Sequence, residues 1–359
     1  MADESSSASY LSVAMTTTGM TQNTGGNTVV PSSPRGIEFY LQCAVLVIGI
    51  VGTVQNVMII YALVASKQHK KQVLIFHQNV LDFACSFFVV IVYSVKLSNI
   101  SFSGSVGYWL CVLTINENLA WYPSSCGVIN LAMITIERYL KVVHPVWSTN
   151  NLRKWMIYTA MAIPMIAIFI TDVAVLIPTN TVIDGVCYVY VLWPSNTHKL
   201  IYLLWNVIIY YVVIIIIFIY CYWRILLVIR RQAKVMAGSS SAQAQSNKTR
   251  NNVVKTMIIV SAFYAILWFP GYTCLFVTTV NPHAIPLLES FYYTGAFLGY
   301  SYMIINPFIY AISFGPVKQV LLEMIPCKKS SVQVIESGPT ANTGGRGNNW
   351  PASRIVDET

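Results

Sequence analysis

Seven long apolar stretches, separated by short polar connections, constrain this chain more than any other feature. They run over about residues 38–65, 73–97, 108–140, 154–177, 200–229, 252–280 and 287–312. Each is long enough to cross a hydrocarbon core of about 30 Å as a helix. Within them the apolar residues are continuous, as in Val212-Val213-Ile214-Ile215-Ile216-Ile217. A membrane β-strand alternates apolar with polar residues, so these stretches read as helices, which satisfy their own backbone hydrogen bonds in lipid. Hydrophobic residues make up 55% of the chain and charged residues 10%, against roughly 25% charged in soluble domains. With a mean hydropathy of +0.59, a soluble core would not cover the apolar surface. The expected fold is all-α and membrane-embedded, a seven-transmembrane helix bundle over residues 37–313.

Lys and Arg in the connections orient the bundle. Of the 22 in the chain, Arg35, Lys96 and Lys199 fall on one side and the rest on the other, among them Lys67, Lys70, Lys71, Arg153, Arg230, Arg231 and Lys318. The N-terminus is therefore expected outside the cell and the C-terminus inside, with the chain in the plasma membrane. The same bias accounts for the net charge of +9 and the pI near 9.1 without a nucleic-acid partner. Residues 1–36 are rich in Ser, Thr and Gly with no apolar core. They read as a disordered extracellular segment rather than a cleaved signal peptide, and the first span acts as the targeting signal. Asn99-Ile100-Ser101 is a sequon, open between glycosylation and a chance match. After the last span, residues 314–327 read as an amphipathic membrane-surface helix and 328–359 as a disordered cytoplasmic tail.

Polar and charged residues inside the spans are costly and so are functional candidates. Asp82 lies midway along span two. Glu137-Arg138-Tyr139, with Pro145 beyond, closes span three, and Asn306-Pro307-Phe308-Ile309-Tyr310 closes span seven. Span six carries Trp268-Phe269-Pro270, and a proline there removes a backbone hydrogen bond and bends the helix.

These motifs together resemble the rhodopsin-like G-protein-coupled receptors, with a diffuse likeness to peptide receptors of the galanin, somatostatin and allatostatin type. The resemblance implies the following roles. Glu137, Arg138 and Tyr139, with Tyr222 and Tyr310, form the G-protein switch. Asn56, Asp82, Asn306 and Pro307 form a polar core. Trp268 and Pro270 form the toggle through which span six swings outward. A disulfide joins Cys111 to Cys187, both on the oxidising side. Cys327 is open between palmitoylation and an unmodified thiol.

Departures from the family pattern qualify this. Gly127, Tyr302 and Met303 stand where polar sodium ligands are usual, so the polar network is carried over and a sodium site is not. Cys111 and Arg138 are two residues further apart than is common, which places a bulge or kink at Pro123. Arg250 stands where an acid on span six would pair with Arg138, which leaves restraint to Glu137 and packing. The third inner loop, roughly Arg230 to Arg250, is short.

Span seven has no lysine for a retinal Schiff base, and the middle of span three has no aspartate for a biogenic amine. The outer half is acidic (Glu38, Glu117, Asp172, Asp184, Glu289) and aromatic (Trp121, Trp193, Tyr272, Phe291, Tyr292, Tyr293). Such a cup favours a cationic amphipathic ligand, most simply a small basic peptide; a non-peptide small molecule or amine is the alternative. Partners implied are that ligand, a heterotrimeric G protein, membrane lipids and, through Ser239–Ser241 and serines of the tail, receptor kinases and arrestin. No cofactor is implied. The five histidines do not cluster, no paired acids suggest an enzyme, and no internal repeat suggests a transporter.

Overall fold

The computed structural model describes residues 36–98, 100–235, 241–281, 285–313 and 315–324. Side chains at 233–253, 285–290 and 310–316 lie outside that description.

Seven long helices run through the described residues: Ile37–Ala65, Val73–Leu97, Gly104–Val143, Lys154–Thr179, Asn196–Val235, Ser241–Val280 and Ile285–Ser313. They are numbered here as spans one to seven. Six of them are long and apolar enough to cross a membrane among the described residues. The seventh has 29 residues, about 44 Å at 1.5 Å per residue. Ile266 (68% exposed), Trp223 (64%) and Ile219 (63%) face outward from the bundle, which is the expected polarity when the surrounding solvent is lipid rather than water.

Spans one and two, six and seven, two and three, one and seven, and three and five pack most extensively. The apolar core between them includes Val45, Val89, Leu131, Ile134, Ile225, Met257 and Val260. Spans six and seven approach closely at two facing glycines. A Cβ on Gly295 would lie 2.9 Å from Gly271 Cα, so a side chain there needs the backbone to shift.

Three spans contain a π turn in the half that carries the disulfide: Cys111–Ile115, Phe169–Ala174 and Ile208–Val213. Span three is where the position of the irregularity differs from expectation. The extra residues between Cys111 and Arg138 are absorbed at Cys111–Glu117, while Pro123 sits within regular helix. Glu117 takes the left-handed conformation at φ 56° and caps the helix that restarts at Asn118. Asn118 Nδ2 then donates to the carbonyl of Val112 at 2.9 Å, compensating one backbone acceptor freed by the break. Pro123, in the second turn of the restarted helix, leaves only one amide hydrogen bond unmade.

The connection between spans four and five forms a hairpin, β1 Thr181–Ile183 with β2 Val186–Tyr188, in antiparallel register with Val182 opposite Cys187. Its turn, Asp184-Gly185, has φ 51° and 77°, the positive angles that favour Asp-Gly in two-residue hairpins. Cys187 is disulfide-bonded to Cys111, and Phe102 N donates to Gly185 O at 3.0 Å. The hairpin is thus held to the end of span three and to the connection before it.

Helix extends into the third inner connection from both sides. Span five continues to Val235 and span six begins at Ser241. Beyond span seven a short helix, Gly315–Glu323, buries Val317 and packs on span one. The segments 1–35 and 325–359, with Asn99 and Cys327, lie outside the described residues.

Candidate functional site

Asp82 is buried in the middle of the bundle. Asn306 Nδ2 donates to its Oδ2 at 2.7 Å and Gln78 Nε2 to its Oδ1 at 3.0 Å. Gln78 and Asp82 are four residues apart, so they share one helix face. The network continues away from Asp82: Asn130 Nδ2 donates to Gln78 Oε1 at 2.9 Å and to Leu74 O at 3.0 Å, and His77 Nδ1 lies 3.0 Å from Asn130 Oδ1. Asn56 Nδ2 reaches Met303 O at 3.3 Å. Gln78, His77 and Asn130 were not legible as partners. Gly127 makes room for them, since a Cβ there would lie 3.1 Å from Gln78 Nε2.

A second polar centre lies nearer the disulfide. The break in span three turns Glu117 toward spans two and seven, where it is 2% exposed. Lys96 forms an ion pair with Glu117 Oε1. Tyr93 Oη donates to Oε1 at 3.2 Å and Tyr300 Oη to Oε2 at 2.8 Å. Its charge is therefore matched inside the protein, and the acidic character inferred for the outer half is smaller than the residue list implies. Asn116, just before it, is buried with neither amide atom paired.

Among the described residues, Asp172 is the other buried acid in the half that carries the disulfide. It lies in the π turn of span four and accepts from Tyr210 Oη at 2.6 Å and from Thr171 Oγ1 at 3.1 Å. Tyr190, half-buried in the strand-following loop at φ 59°, feels the charge of both acids. Its phenol is raised above its usual pKa by burial, and the charges of Glu117 and Asp172 add to that.

An aromatic cluster connects this region to span six. Trp268 contacts Trp121 (centroids 5.4 Å), Tyr272 (5.9 Å) and Tyr300 (6.1 Å). Tyr211 lies 5.1 Å from Tyr272. Gly299 permits this, because a Cβ there would come within 3.0 Å of the Trp268 ring. Two positions beyond Trp268, Pro270 sits inside the helix. Tyr292 and Tyr293 pack edge to face at 5.5 Å. The side chain of Glu289 lies outside the described residues.

At the opposite end, Arg138 Nη2 reaches Gln72 Oε1 at 3.5 Å and its Nε lies 3.7 Å from Glu137 Oε2. Glu137 is closer to Lys141, at 2.6 Å. Tyr222 Oη ties three spans together: it lies 2.9 Å from Thr135 Oγ1 and 2.8 Å from Ser261 Oγ, and 3.1 Å from the carbonyl of Met257. Tyr139 Oη lies 3.3 Å from His144 Nε2. The helices carrying Tyr310 and Arg250 are described, but not those side chains.

A bundle of seven spans, tied by Cys111–Cys187 at one end and carrying Glu137-Arg138-Tyr139 at the other, has the architecture of a helical membrane receptor. The sequence model of the seven-transmembrane receptor (rhodopsin family) matches residues 55–310, and the chain belongs to that family. It is 24% identical over 219 residues to the tachykinin-like peptides receptor 99D of Drosophila melanogaster, a match covering 57% of this chain and 41% of the relative. The chain thus spans less than half the length of that curated relative.

Proposed function

We propose that the protein binds a small extracellular peptide in the mouth of the bundle beneath the hairpin and activates a heterotrimeric G protein through outward movement of span six. The observation that carries this reading is Trp268. It touches Trp121 of span three and Tyr300 of span seven, and lies two residues before Pro270 on span six. A ligand that displaced these aromatic rings would act on the proline bend directly. The ligand pocket would draw on Trp121, Asp172, Tyr272, Glu289, Tyr292 and Tyr293, with Glu117 supporting it from within.

Arg138, released from Gln72 and Glu137, would meet the G protein, with Tyr139, Tyr222 and Tyr310 completing the switch. Asn56, Asp82, Asn306 and Pro307 would transmit the rearrangement between the two ends, since a network with two discrete hydrogen-bonded arrangements is a suitable bistable element. The name of the Drosophila relative supports a peptide as ligand. The distribution of Lys and Arg supports a plasma-membrane orientation with the N-terminus outside. Receptor kinases and arrestin would act on the serines of the tail, Cys327 would accept a palmitoyl group and Asn99 a glycan.

The test is agonist-dependent GTP exchange in membranes containing the full chain, screened with basic and amidated peptides. A saturable response lost in Trp268→Ala supports the reading. Absence of exchange with every G-protein class, alongside solute flux, would reverse it.

A further inference from the structure

Among the described residues, two acids are buried in the disulfide half, and they differ in one decisive respect. Glu117 has an internal cation, Lys96. Asp172 is 8% exposed, and among the described residues its partners are two neutral hydroxyls, those of Tyr210 and Thr171. Hydroxyl donors stabilise a carboxylate without neutralising it, and a buried charge without a counter-ion is costly. An ionisable residue kept at such a place in a spanning segment is there for a partner.

The backbone around it is equally unusual. Asp172 lies in the π turn Phe169–Ala174 of span four and its partner Tyr210 in the π turn Ile208–Val213 of span five. Each π turn inserts a residue and rotates the side chains that follow it, a cost that helices mostly accept at functional sites. Together the two turns bring the carboxylate and the phenol to 2.6 Å across adjacent spans. Three further tyrosines lie within electrostatic reach of the carboxylate: Tyr190 from the hairpin loop, Tyr202 from span five and Tyr272 from span six. Tyr272 also packs on Trp268. An acid walled by aromatic rings is the chemistry that holds an ammonium or guanidinium group, by charge at the carboxylate and by cation–π attraction at the ring faces.

We propose that Asp172, rather than Glu117, is the anchor for a cationic group of the ligand, with Tyr210 beside it and Tyr190, Tyr202 and Tyr272 as the nearby aromatic side chains available to the same group. This rests on the reading that the ligand enters from the disulfide end. The cation would complete the charge balance that Tyr210 and Thr171 leave open, and would bring the ligand's adjoining apolar part against Tyr272 and so against Trp268.

The test uses the dipeptide amide Phe-Arg-NH2 and its neutral isostere Phe-citrulline-NH2, binding to the purified full-length receptor in lipid nanodiscs. Binding is read by saturation-transfer NMR and does not require a G protein. The wild type is expected to prefer the arginine probe at least tenfold. Asp172→Asn, which retains an acceptor for Tyr210, should abolish that preference, and Asp184→Asn, at an exposed acid of the hairpin turn, should retain it. An equal preference in Asp172→Asn, or none in the wild type, overturns the proposal. Should Asp172→Asn fail to fold, a photoreactive form of the arginine probe decides on the wild type alone. Labelling within 169–174 or 208–213 supports the site, and labelling confined to other segments overturns it. A receptor that binds the probe at Asp172 yet never drives GTP exchange would refute the proposed signalling function and leave this site standing.

Discussion

Asn306 Nδ2 donates to Asp82 Oδ2 at 2.7 Å, joining span seven to span two through a carboxylate buried in the centre of the bundle. Gln78 holds the other oxygen. Replacing Asn306 by Leu leaves half of a buried carboxylate unsatisfied, at about 1–3 kcal/mol. The expected result is a lower melting temperature of the purified receptor, partly recovered in Asp82→Asn/Asn306→Leu because an amide has less need of the lost donor. Additive losses in the double variant would show that the contact does not couple the two spans.

Lys96 and Glu117 are both buried, at 9% and 2% side-chain exposure. Removing one partner strands the other charge, so Lys96→Met should destabilise by about 3–5 kcal/mol. Lys96→Met/Glu117→Gln should recover most of that, since one of Tyr93 and Tyr300 can still donate to the amide oxygen while the other accepts from the amide nitrogen. Thermal unfolding of the four species measures the coupling, and a double variant no more stable than Lys96→Met contradicts it.

Tyr222 Oη is shared by Thr135, Ser261 and the carbonyl of Met257, so it holds span six against span three. Tyr222→Phe should cost about 1 kcal/mol and raise ligand-free GTP exchange by loosening the inner half of span six. Arg250→Glu, which supplies an acid for Arg138, should lower the same readout. Unchanged exchange in both variants would remove span six from the resting restraint.

Gly295 and Gly299 lie one turn apart on span seven and should fail differently. At Gly295 the obstacle to a Cβ is the Gly271 backbone at 2.9 Å, whereas at Gly299 it is the Trp268 ring at 3.0 Å. A ring can turn and a packed helix cannot. Gly295→Ala should therefore lower the melting temperature more, while Gly299→Ala should alter Trp268 fluorescence and the agonist response more. The reverse order would refute the assignment.

The number and length of the spans were legible in the sequence, because a lipid-embedded helix must be continuously apolar over a fixed length, and that is a one-dimensional signal. The pairings of Asp82 with Asn306 and of Cys111 with Cys187 came from the resemblance to the rhodopsin-like receptors, and both contacts are present in the structure. Asp184-Gly185 marked a hairpin turn that a closer reading of the loop would have found. Tertiary structure alone decided the rest. Pro123 looked like the site of distortion, yet the strain is relieved at Cys111–Glu117, because backbone geometry yields where side chains such as Asn118 can satisfy the freed carbonyls. That displacement turns Glu117 onto Lys96. The sequence shows five acids in the outer half and does not say which has a counter-ion, because ion pairing between spans depends on helix rotation, and rotation is set by the π turns and the packing they permit.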